Sequence, residues 1–304
     1  MAWWDGKTAI SICALGDSNM NALGYQLGVQ QDIASVNHYC SATGQVPYSE
    51  ANMGWRHISP DSESRVPTEF ASYTALFPNT GYVGQLFGSN GAPAIEIANT
   101  LAVGTGIDTY LYQVASPGMT SVQFSSGACW DTIARTAQAA LDSIPGSPDY
   151  FDVFVTNFGI NDMFTPITDE NYYLNMKLMR QNMIDAGWWI PGTTQVIILE
   201  MPRIASTAPQ YPDVWLGHDF FLNRLNDKNG RASSVGLEII EGDPIPVHFT
   251  AADNTRLGKR AGDLLVSGLS DNRSVLSIGG TRISLGGLRI KAHSALALML
   301  AVMI

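Results

Sequence analysis

Short apolar runs that alternate with amphipathic, helix-length segments limit what this chain can fold into more than any other feature. Residues 8–15, 108–115, 152–158 and 195–201 are rich in aliphatic, β-branched and aromatic side chains, as strands buried on both faces require. Between and after them, residues 93–103, 131–144, 171–186, 214–229 and 251–269 space their apolar residues for helices; in the last, Leu257, Leu264 and Leu265 lie on the apolar face. Residues 236–240 are expected to add a fifth short strand. This alternation implies an α/β fold, a three-layer α/β/α sandwich whose mostly parallel five-stranded sheet is covered on both sides.

With 304 residues, 45% of them hydrophobic, the chain is long enough for one α/β domain with some decoration. Two stretches break the rhythm. Residues 37–92 form a long insertion rich in Gly, Ser and Pro, read as a lid or substrate wall. From residue 271 the sequence becomes SVLSIGGTRISLGGLRI, whose glycine pairs and alternation suggest short strands or a small appended hairpin. The apolar stretch 294–304 is about half the length a membrane-spanning helix needs.

Twenty-seven acidic against 17 basic residues give a net charge of -10, which argues against nucleic acid or an anionic membrane as partner. A neutral or weakly charged substrate fits better. Cys13, Cys40 and Cys129 make no disulfide framework, and Cys13 reads as a buried thiol within a strand. The opening MAWWDGK lacks the basic start and long apolar core of a signal peptide, so no export signal is expected in it.

In a doubly wound sheet, ligands sit beyond the carboxyl ends of the strands, and the residues there form a coherent set. Ser18 follows the first strand, Ser116 to Thr120 the second, Gly159 to Asp162 the third, and Asp243 to His248 the fifth. A serine hydroxyl needs a base to become a nucleophile. Of the five histidines, only His248 falls between the last expected strand and its helix. Asp243 on the same loop is placed to orient that imidazole. The N–H groups of Ser18 and Gly118 and the amide of Asn161 are the donors for an oxyanion. Asp17 is expected to satisfy backbone groups around the serine turn, and Asp162 to cap the turn that follows the third strand.

The words GDSNMN and GINDM, with a C-terminal acidic loop and histidine, resemble the SGNH (GDSL) hydrolase superfamily. More narrowly, GDSNM is similar to the GQSNM of sialate and xylan O-acetylesterases. The stretch PAIEIANTLAVGTGIDTYLYQVASPGMTSVQF resembles their helix, strand and oxyanion segment, and HFTAADNTRLGKRAGDLL their closing histidine and helix. The resemblance covers about residues 9–269 and implies nucleophile Ser18, oxyanion donors Gly118 and Asn161, base His248, and neither metal nor cofactor. It also makes residues 1–270 the hydrolase domain. The sequence departs from the family twice. The usual acid lies three residues before the histidine, where this chain has Ile245; Asp243 is the nearest upstream acid, so the alternatives are a bulged triad or a Ser-His pair oriented by a backbone carbonyl. The third block, NFGIND, is closer to the lipase-like pattern than to the WHQGE of the acetylesterases.

The expected function is a serine O-acetylesterase acting on a carbohydrate or polysaccharide, with a general short-chain esterase as the nearer alternative. A carbohydrate-binding or phage tail-type module with reduced or lost activity is the reading from a different class, motivated by the displaced acid and the Gly-rich tail. Tyr48, Trp55, Tyr82 and Trp130 fall near the expected substrate side, although each is more often core than a sugar platform.

Overall fold

A computed structural model of the chain describes residues 2–20, 36–40, 72–75, 93–115, 118–157, 159–202, 211–225, 227–240, 247–269, 275–278 and 281–284. Strand β1 (Ile10–Gly16), buried along its whole length, lies at the middle of a seven-stranded sheet. The other strands are β2 (Val36–Cys40), β3 (Ser72–Ala75), β4 (Thr109–Ala115), β5 (Val153–Asn157), β6 (Gln195–Leu199) and β7 (Asn229–Ala232), in the order β3-β2-β4-β1-β5-β6-β7. All pairings are parallel except that of β3 with β2. Ile10 stands opposite Thr109 on β4, and Ile12 opposite Val153 on β5.

The chain steps to one side of β1 to place β4 and to the other to place β5. The carboxyl end of β1 is therefore the topological switch point, the place where open α/β sheets hold ligands. Helices cover both faces, so the fold is the three-layer α/β/α sandwich. On one face, α1 (Pro93–Thr105) and α6 (Ala251–Ser267) bury Ile95, Leu101, Leu257 and Leu265 against Ile10, Ile12 and Ala14 of β1. On the other, α2 (Ser121–Ser126), α3 (Ala128–Asp142), α4 (Asp169–Asp185) and α5 (Tyr211–Arg224) bury Phe124, Ile133, Met176 and Phe221 against Cys13 and Leu15. Adjacent residues of β1 thus enter opposite cores, which is why its sequence is apolar apart from the buried Ser11. Caps set the helix starts. Thr168 accepts the N–H of Asn171 at the head of α4, and Thr250 that of Asp253 at the head of α6.

Helices α1 and α6 approach closely because α6 presents glycines one turn apart. A Cβ at Gly258 would lie 2.4 Å from the carbonyl oxygen of Pro93, and one at Gly262 would lie 2.5 Å from Thr100 Cβ. The contact leaves room for nothing larger than hydrogen.

Three elements differ from the sequence expectations. β2 and β3 lie within or at the border of the expected insertion and extend the sheet to seven strands, since runs of four or five residues are too short to show periodicity. The lid reading of residues 37–92 otherwise lies outside the described residues. The strand expected at 236–240 is instead β7 at Asn229–Ala232, with only a bridge between Ile239 and Phe249 at the expected place, and α5 ends at Arg224. Asn229-Gly230-Arg231-Ala232 has poor strand composition; it pairs with β6 at the sheet edge, where a Cβ on Gly230 would come within 2.9 Å of Leu269.

Asp271–Ile304 is a separate compact unit, in which β8 (Val275–Ile278) and β9 (Thr281–Ser284) pair antiparallel. Ile278 stands opposite Thr281. The apolar stretch at 294–304 lies outside the described residues. No helix among the described residues is long and apolar enough to cross a membrane.

Gly258→Leu should lower stability by about 2–3 kcal/mol through overpacking against the α1 backbone, despite the better helix propensity of leucine. That corresponds to a fall of roughly 5–10 °C in Tm, read by calorimetry; an unchanged Tm would mean that α1 and α6 can separate at no cost.

Candidate active site

Ser18 follows Asp17, two residues beyond the end of β1, and is 4% exposed. His248 lies in an extended segment, Val247 to Thr250, that leads into α6. Although 230 positions separate them, His248 Nε2 is 2.9 Å from Ser18 Oγ. An imidazole nitrogen at that distance can take the hydroxyl proton and make the oxygen a nucleophile.

The other expected residues come from the ends of β4 and β5. Gly118, in the loop after β4, adopts φ +82°, a conformation that glycine reaches without strain. Asn161, in the loop after β5, begins a 3₁₀ turn at Asp162–Phe164, but its side chain makes no capping bond. Its Nδ2 instead donates to the carbonyl of Met119, at 2.9 Å, next to Gly118. A primary amide has two N–H donors, so this bond fixes the group and leaves the second donor for a ligand.

Two buried carboxylates join these loops. Asp17 accepts the N–H of Asn19 within its own turn, as expected, and also that of Ile160 across the sheet, both at 3.2 Å. Asp162 accepts both the N–H and the hydroxyl of Ser121 at the head of α2, and Asn175 of α4 donates to the same hydroxyl. Burial pushes the Asp17 carboxyl up to about 7, with a further push from Asp162, against the pull of the N–H groups of Asn19, Ile160 and Gly159. Burial likewise pushes Asp162 up to about 6, against the hydroxyl and N–H of Ser121. Behind them, Tyr172 Oη and His218 Nε2 lie 2.7 Å apart in the core.

The structure therefore brings Ser18 to His248, Asn161 to the Gly118 loop, and the Ser18 turn to the Asn161 turn. Asp243 lies outside the described residues. So do Tyr48, Trp55 and Tyr82, while Trp130 is half-buried and packs against the core beside Trp188. Cys13 and Cys129 are buried thiols whose titration burial pushes far up. Among the described residues no group of three or more His, Cys, Asp or Glu side chains is placed to hold a metal ion.

Sequence reasoning missed the Asp17–Ile160 and Asp162–Ser121 links and the part played by Asn19. Asn19 is 1% exposed; its Nδ2 donates to the carbonyl of Val247 at 2.8 Å, and its Oδ1 accepts the N–H of Phe249 at 3.0 Å. The sequence does carry a signal for all three: polar residues inside segments that must be buried.

No protein-family model and no curated protein sequence matches the chain. Among solved structures, an X-ray structure of a protein from Arabidopsis thaliana is similar, with a TM-score of 0.56 and 15% identity over 86% of this chain and 99% of that one. At that identity the likeness shows a shared fold. A structure of a carbohydrate esterase aligns with a TM-score of 0.38 and 14% identity, over 85% of this chain and 67% of that one.

Asp17 and Asp162 hold their protons more tightly folded than at the ordinary carboxylate value of 3.8, so the stability they contribute is complete below that pH and is lost as pH rises through about 6 to 7. Each contributes a slope of at most about 1.4 kcal/mol per pH unit. Urea unfolding between pH 4 and 8 should show Asp17→Asn with a flatter decline than wild type. Equal slopes would show that Asp17 does not titrate in that window.

Proposed function

We propose that this chain is a serine ester hydrolase of the SGNH type, and that it removes O-acetyl groups from a carbohydrate. The contact between Ser18 Oγ and His248 Nε2 carries the reading, because it joins residues at opposite ends of the domain at the switch point of the sheet. The resemblance of GDSNM and of the closing histidine segment to O-acetylesterases supplies the acetyl and sugar parts.

In the proposed reaction, Ser18 Oγ attacks the ester carbonyl carbon while His248 Nε2 takes the serine proton. The oxyanion of the tetrahedral intermediate accepts hydrogen bonds from the N–H groups of Ser18 and Gly118 and from Asn161 Nδ2. Collapse breaks the bond to the alkoxy oxygen, which leaves with the proton from His248, and acetate remains esterified to Ser18. Water then attacks the same carbonyl, giving its proton to His248; the second collapse frees acetate and returns the proton to Ser18. Asp243, five residues before His248, is the proposed acid that orients the imidazole and stabilises it when charged.

Ser18→Ala should abolish hydrolysis of p-nitrophenyl acetate, a loss that reaches about a million-fold for members of such a triad, while the variant stays folded. Retention of a tenth of wild-type activity would exclude Ser18 as the nucleophile. Asn161→Ala should lower kcat roughly 100- to 1000-fold with little change in KM, and an effect confined to KM would remove Asn161 from the oxyanion hole. Strong preference for C2 over C8 p-nitrophenyl esters, with acetate release from acetylated glycans, is expected. Comparable C8 activity would favour a general esterase. Asp243→Asn should cut kcat by about ten thousand-fold, as tautomer control requires. A change under about tenfold would mean that another group orients His248.

A further inference from the structure

Asn19 meets both neighbours of His248 in the chain. In an extended segment, alternate residues turn their backbone polar groups to opposite sides. Val247 and Phe249 turn theirs toward Asn19, whose amide gives an N–H to the first and takes an N–H from the second. On the other side, the carbonyl of His248 accepts from Ile240 and the N–H of Thr250 donates to Glu238. The His248 backbone is therefore held between a short strand-like partner and one side chain that imitates a strand.

We propose that Asn19 is a positioning residue that sets the distance between base and nucleophile. The inference rests on the reading of Ser18 and His248 as that pair. Asn19 is bonded directly to Ser18 in the chain, and its own N–H is fixed by Asp17 Oδ1. The contacts close a ring: Ser18, Asn19, the backbone flanking His248, the imidazole, and Ser18 Oγ again. Any shift of the base segment must break a bond to a buried amide. The task requires a planar group that donates and accepts at once and is short enough to stay beside the nucleophile, and asparagine meets all three conditions. His248 acts in both acylation and deacylation, so loss of the clamp acts on turnover, whereas binding of the ester is left to other groups.

The test measures labelling of Ser18 by a fluorophosphonate. In that reaction the Oγ–P bond forms, the P–F bond breaks, fluoride leaves, and the serine proton passes to His248. Rate constants are compared for the full chain as wild type, Asn19→Ala, His248→Ala and the double variant, each confirmed as folded by circular dichroism at the assay temperature. Asn19→Ala should lower the labelling rate, and kcat on p-nitrophenyl acetate per folded molecule, about 10- to 100-fold, the cost of a misplaced catalytic group. KM should stay within about twofold. In the His248→Ala background the same substitution should change labelling by less than about twofold, because Asn19 acts through the base. Asn19→Asp keeps the acceptor for Phe249 but loses the donor to Val247; it should show a loss in the same range, and it carries the test if the alanine variant does not fold. A kcat within twofold of wild type, or a loss that persists undiminished without His248, overturns the proposal. Wild type that is not labelled at Ser18 brings down the reading of the pair itself, whereas normal labelling with an insensitive Asn19 variant sinks only the clamp.

Discussion

A strand that ends inside a protein leaves backbone groups that the sheet no longer pairs, and each must find a partner there. At the carboxyl ends of β1, β4 and β5, side chains fill this need. Asp17 takes the N–H of Ile160, Asp162 that of Ser121, Asn161 gives to the carbonyl of Met119, and Asn19 pairs with Val247 and Phe249. Every one of these bonds joins two different loops. The approach of His248 to Ser18 is thus a product of how the loops satisfy one another.

This arrangement has a cost that the rest of the fold offsets. Two carboxyls pushed up to about 7 and about 6 are buried behind the site, where a chain selected only for stability would place apolar residues. Their surroundings are dense: Cys13 and Leu15 of β1 pack with Phe124 and Met176 on one face, and Ile12 and Ala14 with Leu257 on the other. The acyl transfer we propose needs preorganisation of this kind, since donors fixed in advance do not have to reorganise as charge develops.

The central strands were legible in the sequence because burial on both faces makes them continuous apolar runs, and the helices of both layers because their apolar stripes repeat at helical spacing. β7 was not. Its residues, Asn229 to Ala232, are chosen by an edge position and a close approach to Leu269, which local composition does not record. The expected strand at 236–240 was misplaced, yet His248 lies just ahead of α6 as expected, because that position depends on the helix pattern rather than on the strand. Ser18 and Asn161 were visible as polar residues where apolar runs end. Asn19, Asp17 and Asp162 sit in the same words, but their partners are up to 230 positions away, and one sequence does not show which distant backbone group a buried side chain will meet.

Mass spectrometry of the protein quenched during turnover of p-nitrophenyl acetate tests the account most directly. Peptide mapping should find a single acetyl group, on the peptide that carries Ser18, and the adduct should build up only while substrate remains. Turnover with acetyl on a different residue, or with no acetyl-enzyme under conditions that trap one, would contradict Ser18 and His248 as the working pair.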